Sequence, residues 1–216
     1  PHFAFQTQNL SKKNVDFETE RSFKFGSMMH KAHAHRIWMQ YHCIQHLTSC
    51  SHSFNNRPGD PVELNELDSQ LKEWALNQPV SSDYVKDWDI TVEPYQSYVM
   101  IETETMMRPG VFLSEKTWKL MLSGQFFILI GSPGTVNYLR SIGVDVFDDI
   151  IDHSYDLAGP WQERCNQAIQ EIFRLEKENL SLAWKSTLQR RLANRVNFLS
   201  NKWFQPYLDT INQLHL

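Results

Sequence analysis

Two carboxylates, a Ser-Glu-Lys triplet, a glycine-rich turn and one arginine are the residues of this chain whose types and spacing could do chemistry. Glu102 and Glu104 stand at i and i+2 behind the apolar run Tyr98–Ile101. On a strand that spacing turns both side chains to one face, where one could serve as general base and the other accept a ligand hydroxyl. A solvated strand end carries the same pattern. Ser114 fits the cap of a helix that opens with Glu115 and Lys116. A glutamate there is favoured by the helix dipole and a lysine is opposed by it, so Lys116 suggests an anion such as phosphate nearby. Gly131-Ser132-Pro133-Gly134 follows an apolar run and opens another helix. Its backbone N–H groups could hold a phosphate or a sugar, although it is neither a GxGxxG nor a P-loop motif, and a plain tight turn reads the same. Arg36 falls in the first turns of a helix that follows a strand. A cation there could reach an anion at that helix start; a surface ion pair is the plainer reading.

Histidines crowd one region: His30, His33, His35, His42, His46 and His52, with Cys43 and Cys50 among them. His35, His42 and His46 share a helix face, which raises the question of zinc. The spacings match no standard ligand knuckle and no CxxC pair is present, so solvated or core-edge histidines are the preferred reading and no metal set is assigned.

The elements that would position these residues read as α/β. RSFKFGSMM (21–29) is a short strand feeding a helix through Ile37, Trp38, Tyr41 and Ile44. Residues 48–62 are rich in Ser, Asn, Pro and Gly and read as loop. Residues 63–77 form an amphipathic helix with Leu64, Leu67, Leu71, Trp74 and Ala75 on one side, and 79–97 is a connection carrying Trp88, Ile90 and Val92. Tyr98–Ile101 is an apolar strand, EKTWKLMLS a helix stopped by Gly124, and Phe126–Ile130 a buried parallel strand. Val136, Leu139 and Ile142 mark the next helix, closed by Gly143, and Val144–Phe147 reads as a last short strand before DHSYD. From 161 onward the chain is helical, with stripes Trp161, Cys165, Ala168, Ile172, Leu175 and Leu182, Leu188, Leu192, Val196, Leu199; Pro206 breaks or starts a final helix. Arg190, Arg191 and Arg195 could face a phosphate backbone, but such a run on a helix is usually a solvated face. The division is an irregular lead-in over 1–20 with Phe3, Phe5 and Phe17, an α/β domain over 21–160 and a helical extension over 161–216.

The chain has 216 residues, 41% hydrophobic and 12% aromatic, which is enough for a core and argues against wholesale disorder. A net charge of −4 does not mark a dedicated nucleic-acid binder. No apolar run is long enough to span a membrane and no signal peptide is visible. Three irregularly spaced cysteines fit a reducing compartment better than a disulfide framework, hence a cytoplasmic setting. A first residue that is Pro and not Met suggests a trimmed chain or a piece of a longer one.

The string VMIETET, then FLSEKTWKLMLSGQFFILIGSPGTVNYLRSIGVDVF, then DHSYD, resembles the C-terminal half of phage and bacterial glycosyltransferases. Those read as an ETE or ENS element, [ST]EK, a helix, a PFI-like strand, a G-x-P-G turn, a Leu-Arg-x-x-Gly-Phe segment and a D-E-S-Y-D-like close. More distantly the chain is similar to the α1,3-fucosyltransferase and exostosin-like families, of GT-B fold. It departs at Phe126 for the usual Pro, Val144 for an aromatic and His153 for Glu. The resemblance covers roughly 20–160, with an unmatched loop between 48 and 90. It implies a Rossmann-like half of a GT-B fold with a parallel sheet and a C-terminal helical tail. It also implies Lys116 and Arg36 on the donor pyrophosphate, Glu115 on the ribose, Glu104 beside the donor sugar as the catalytic position, and Ser114, Gly131, Ser132 and Gly134 in the donor cradle. The expected function is transfer of a sugar from a nucleotide-diphosphate sugar to a hydroxyl of a glycan, protein or modified nucleobase, with no cofactor. The catalytic base would lie on a missing N-terminal half or a partner chain. The alternative is a non-catalytic structural or interaction module, viral in origin and then placed in the host cytoplasm, that keeps a glycosyltransferase-like half-fold.

Overall fold

The computed structural model describes residues 15–29, 31–54, 64–78, 90–200 and 209. The expectations for Phe3, Phe5, His30, most of the loop to 62, Trp88 and Pro206 lie outside these residues.

Four parallel strands form one sheet in the order β2-β1-β3-β4. They are β1 (Phe23–Met29), β2 (Cys50–Phe54), β3 (Ser97–Thr103) and β4 (Phe126–Ile130). The helices among the described residues are α1 (Ala34–His42), α2 (Ser69–Leu76), α3 (Glu115–Ser123), α4 (Thr135–Ser141), α5 (Trp161–Glu176), α6 (Leu180–Ser186) and α7 (Leu188–Leu199). This is a Rossmann-like α/β fold with a helical C-terminal tail. The chain runs outward from β1 to β2, then returns across β1 to β3 and β4. Strand order therefore reverses between β1 and β3, the place where such sheets open a crevice at their carboxyl ends.

Every residue of β4 is buried, as a strand covered on both faces requires. β1 is nearly so from Phe25 onward. Gly26 is obligatory there, because a Cβ would lie 2.0 Å from the Pro94 carbonyl oxygen. α3 begins and ends as expected: Ser114 Oγ accepts from the Lys116 N–H at 3.3 Å, and Gly124 closes it at φ 68°. α2 is shorter than its apolar spacing suggested. Asp68 accepts from the Leu71 N–H at 2.9 Å and starts the helix at Ser69.

Three expectations are corrected. Residues 50–54 were expected as loop, yet CSHSF is an edge strand paired in parallel with β1, from Phe25↔Cys50 to Met29↔Phe54. Val144–Phe147 is not a strand. Its backbone groups are met by side chains instead: the Asp145 N–H donates to Asn194 Oδ1 at 3.0 Å and its carbonyl accepts from Asn194 Nδ2 at 2.8 Å, while the Val146 carbonyl faces His153 Nε2 at 2.8 Å. Phe147 then takes φ 62°, with its N–H donated to Asp145 Oδ1 at 2.9 Å, which no strand accommodates. Finally, the expected stripe over 182–199 faces the core only in part, with Leu199 packed against it. Leu182 and Val196 are 71% and 60% exposed, whereas Trp184, Arg191, Asn194 and Phe198 are buried. The helix is also divided at Thr187.

The main core is continuous from the strands through Trp118, Tyr155 and Ile172 to Trp184 and Phe198, so helices beyond 161 share the core of the α/β domain. Among the described residues no helix is long and apolar enough to cross a membrane.

Candidate functional site

Residues following β1 and β3 meet in a cleft of about 340 Å³ at the strand-order reversal. One wall is Ala34 and His35 at the start of α1; the other is Thr105 to Arg108, the segment that leaves β3; Glu66 and Trp161 close the mouth. The Trp161 indole N–H donates to Glu66 Oε2 at 2.7 Å. Its ring meets His35 edge-on at 6.4 Å and Trp38 edge-on at 5.7 Å between centroids. Sequence reasoning did not find this cleft. Glu66 and Trp161 are 95 residues apart and carry no motif.

His35 forms the floor. It is 3% exposed and stacks on His33 with centroids 5.6 Å apart. Its Nε2 lies 2.9 Å from the Glu104 carbonyl oxygen. Burial, then the neighbouring charges of Arg36 and His33, hold the imidazole well below its ordinary value, against the Glu104 hydrogen bond. His35 is therefore neutral at pH 7. The other expected face members, His42 and His46, are exposed and away from this pair, and no group of three His, Cys, Asp or Glu among the described residues is arranged to hold a metal.

Arg36 is not a surface ion-pair residue. It is 1% exposed and donates from Nε to Thr103 Oγ1 at 2.9 Å and from Nη2 to the Thr103 carbonyl at 3.0 Å. A longer contact of 3.4 Å reaches Thr105 Oγ1, a cleft residue. Its guanidinium thus sits directly behind the segment that leaves β3. Arg164, which no sequence signal singled out, ties three pieces of the site together: it donates to the carbonyls of Gly159 at 2.7 Å, Met107 at 3.1 Å and Gly131 at 3.3 Å.

The remaining expected residues lie on the α3 face of the sheet and around α4. Glu104 is fully buried, and its Oε1 accepts from the Ser114 N–H at 2.8 Å and the Thr117 hydroxyl at 2.5 Å. It anchors α3 to the end of β3. Glu102 is also fully buried rather than a solvated strand end; burial raises its carboxyl to about 7, offset in part by Lys119 and Lys116. The anion that Lys116 faces is its own neighbour: Nζ lies 2.8 Å from Glu115 Oε1. Burial alone would raise the Glu115 carboxyl, but Lys116 outweighs it and holds the carboxyl below its ordinary range.

The Gly131–Gly134 turn is filled from within. Asp156 accepts from the Val136 N–H on Oδ1 at 3.0 Å and the Asn137 N–H on Oδ2 at 2.9 Å, and its carbonyl accepts from the Gly134 N–H at 3.0 Å. Ser132 is buried, its hydroxyl 3.4 Å from the Met106 carbonyl. The rest of DHSYD seals the free edge of β4. The Leu129 N–H donates to the Tyr155 hydroxyl at 3.2 Å, which lies 2.9 Å from His153 Nδ1, and His153 Nε2 faces the Val146 carbonyl. A carbonyl only accepts, so Nε2 carries the proton and Nδ1 accepts from Tyr155.

Thus Arg36 and Glu104 come together at the end of β3, on opposite faces of the sheet. Ser114, Glu115 and Lys116 adjoin Glu104, and Gly131, Ser132 and Gly134 form a separate, internally bonded turn beside the cleft. Comparison with family profiles, curated proteins and solved structures gave no match, so the site is read from its own geometry.

Proposed function

We propose that this chain is the donor-binding half of a glycosyltransferase, holding a nucleotide-diphosphate sugar at the cleft between β1 and β3 for transfer to a hydroxyl acceptor. The supporting observation is the position of that cleft: it opens at the reversal of strand order, where parallel α/β sheets bind nucleotides, with Arg108 on its wall and Arg36 behind it. Cations placed on a leaving diphosphate supply the electrostatic part of such a transfer. Glu104 is committed to α3, and in this reading the base comes from another domain or chain. The unpaired thiols of Cys43, Cys50 and Cys165 favour a cytoplasmic setting, in the host if the protein is viral.

The test is thermal unfolding in the presence of UDP, GDP and their sugar conjugates. Binding at 100 times Kd stabilises the fold by about 2.7 kcal/mol, a readily measured rise in Tm. Arg108→Ala should weaken it at the cleft. Lys116→Ala should also do so if the α3 start contributes to the diphosphate site; unchanged binding would remove Lys116 from that site.

A second reading has its own support. Glu104 and the N-terminal N–H groups of α4 are both engaged inside the fold, as in a non-catalytic interaction module that retains the scaffold. Absence of any nucleotide-dependent rise in Tm would favour it over the first.

A further inference from the structure

We infer that His35, Glu66 and Trp161 form a sugar-reading subsite, in which His35 Nδ1 accepts a hydrogen bond from a ligand hydroxyl. The inference rests on the donor-binding reading and adds which moiety of the donor the cleft takes.

The tautomer of His35 follows from its partner. Nε2 faces the Glu104 carbonyl at 2.9 Å, and a carbonyl oxygen offers no proton, so Nε2 carries the hydrogen. The neutral ring then has one lone pair left, on Nδ1. Among the described residues Nδ1 has no partner, nor does it belong to the sealed polar atoms, and the ring lines the cleft. Nδ1 is therefore an acceptor turned to whatever occupies this space. Glu66 adds a carboxylate at the mouth, placed by the Trp161 indole. Two acceptors beside an indole suit a neutral, hydroxyl-rich ring, which has donors for both and C–H faces for the aromatic. They do not suit a diphosphate. That group has no proton for Nδ1 at neutral pH, and the Glu66 carboxylate repels it.

Size agrees. Ligand sites generally run from about 300 to 1,000 Å³. At about 340 Å³ this one is at the small end and takes one moiety of a nucleotide sugar, not the whole. The anionic remainder then extends past Thr105 towards Arg108.

Titration calorimetry of the full chain with UDP, UDP-glucose, GDP and GDP-mannose tests this. In the native protein at least one conjugate should bind about tenfold more tightly than its own free nucleotide, the value of one or two ligand hydrogen bonds. His35→Gln keeps an N–H donor for the Glu104 carbonyl but removes the Nδ1 acceptor, so the preference should fall to near one while nucleotide binding persists. Glu66→Gln, at an exposed position, should reduce it severalfold. Nitrogen-15 spectra of the native imidazole should show the proton on Nε2 and a shift of the Nδ1 resonance when the conjugate is added. The subsite is overturned if nucleotides bind but the sugar gives no preference, if folded His35→Gln and Glu66→Gln both keep it, or if Nδ1 is protonated. If neither nucleotides nor conjugates bind, the donor-binding reading falls and the subsite with it.

Discussion

Arg36 and Arg191 are both essentially inaccessible, 1% and 0% exposed, at opposite ends of the same sheet. Arg191 lies near the amino ends of β3 and β4. Its guanidinium is 3.4 Å from the centre of the Trp184 ring, which in turn meets Tyr98 and Phe126, and it donates to the carbonyls of Phe17 and Trp184. Burial, reinforced by Arg21, lowers it to about 9. Among the described residues no carboxylate pairs with it: aromatic faces and carbonyls do the work of counter-ions. Arg36 instead occupies the carboxyl end among threonine oxygens, one step behind an open cleft. One end of the sheet is closed by stacking and serves stability. The other keeps polar atoms beside a space.

The comparison is broken most directly by Trp184→Ala. Loss of a fully buried indole should cost about 3–5 kcal/mol, seen as a large drop in the denaturation midpoint, and should leave ligand affinity of the folded fraction unchanged. Reduced affinity would mean that the two ends are coupled. Arg36→Met should cost less, about 1–3 kcal/mol, because it leaves the Thr103 oxygens without their donor, but it should weaken nucleotide binding at the cleft. Full binding by a folded Arg36→Met protein would make the two arginines equivalent.

Glu102→Gln sharpens the contrast through pH. The folded carboxyl is raised to about 7, above its ordinary value of 4.5, so the native state holds the proton more firmly than the unfolded chain. The stability this gives is complete below pH 4.5 and is lost as pH rises through 7. Urea titrations should therefore show the native protein losing stability between pH 5 and 8 relative to Glu102→Gln, with the two converging in relative terms at the acid end. A constant difference across that range would refute the buried-acid description. The smallest effect is expected for Arg190→Ala. Its bonds to Asp145 and Asp149, both at 2.8 Å from Nη2, are partly exposed. Such pairs contribute up to about 1 kcal/mol, and high salt should shrink the difference.

The two ends were not equally legible in the amino-acid order. β4 is an unbroken apolar run and α3 has both a serine cap and a glycine stop, so local chemistry alone marks them. β2 is hidden because an edge strand of Cys, Ser and His is composed like a loop, and only its register with β1 makes it a strand. Val144 and Val146 alternate as in a strand, but alternation reports burial, and here Asn194 and His153 supply the hydrogen bonds that pairing would. On α7 the leucine spacing pointed beside the most buried stripe, which Arg191, Asn194 and Phe198 form, with Arg191 against Trp184. The site shows the same limits. Arg36 and Glu104 were singled out through their places after strands, yet their partners, Thr103 and the α3 start, depend on tertiary packing. His35 was visible only as one histidine among several, and Glu66 with Trp161 required the folded chain.

Asp156 makes one corner of the protein self-sufficient in anions. With its two oxygens on the Val136 and Asn137 N–H groups, the chain carries a built-in surrogate for an inorganic ion. The 131–134 turn consequently does not need a guest to organise it, and its shape should be indifferent to phosphate in the medium. A molecule entering the adjacent cleft therefore meets no ordering cost from this turn.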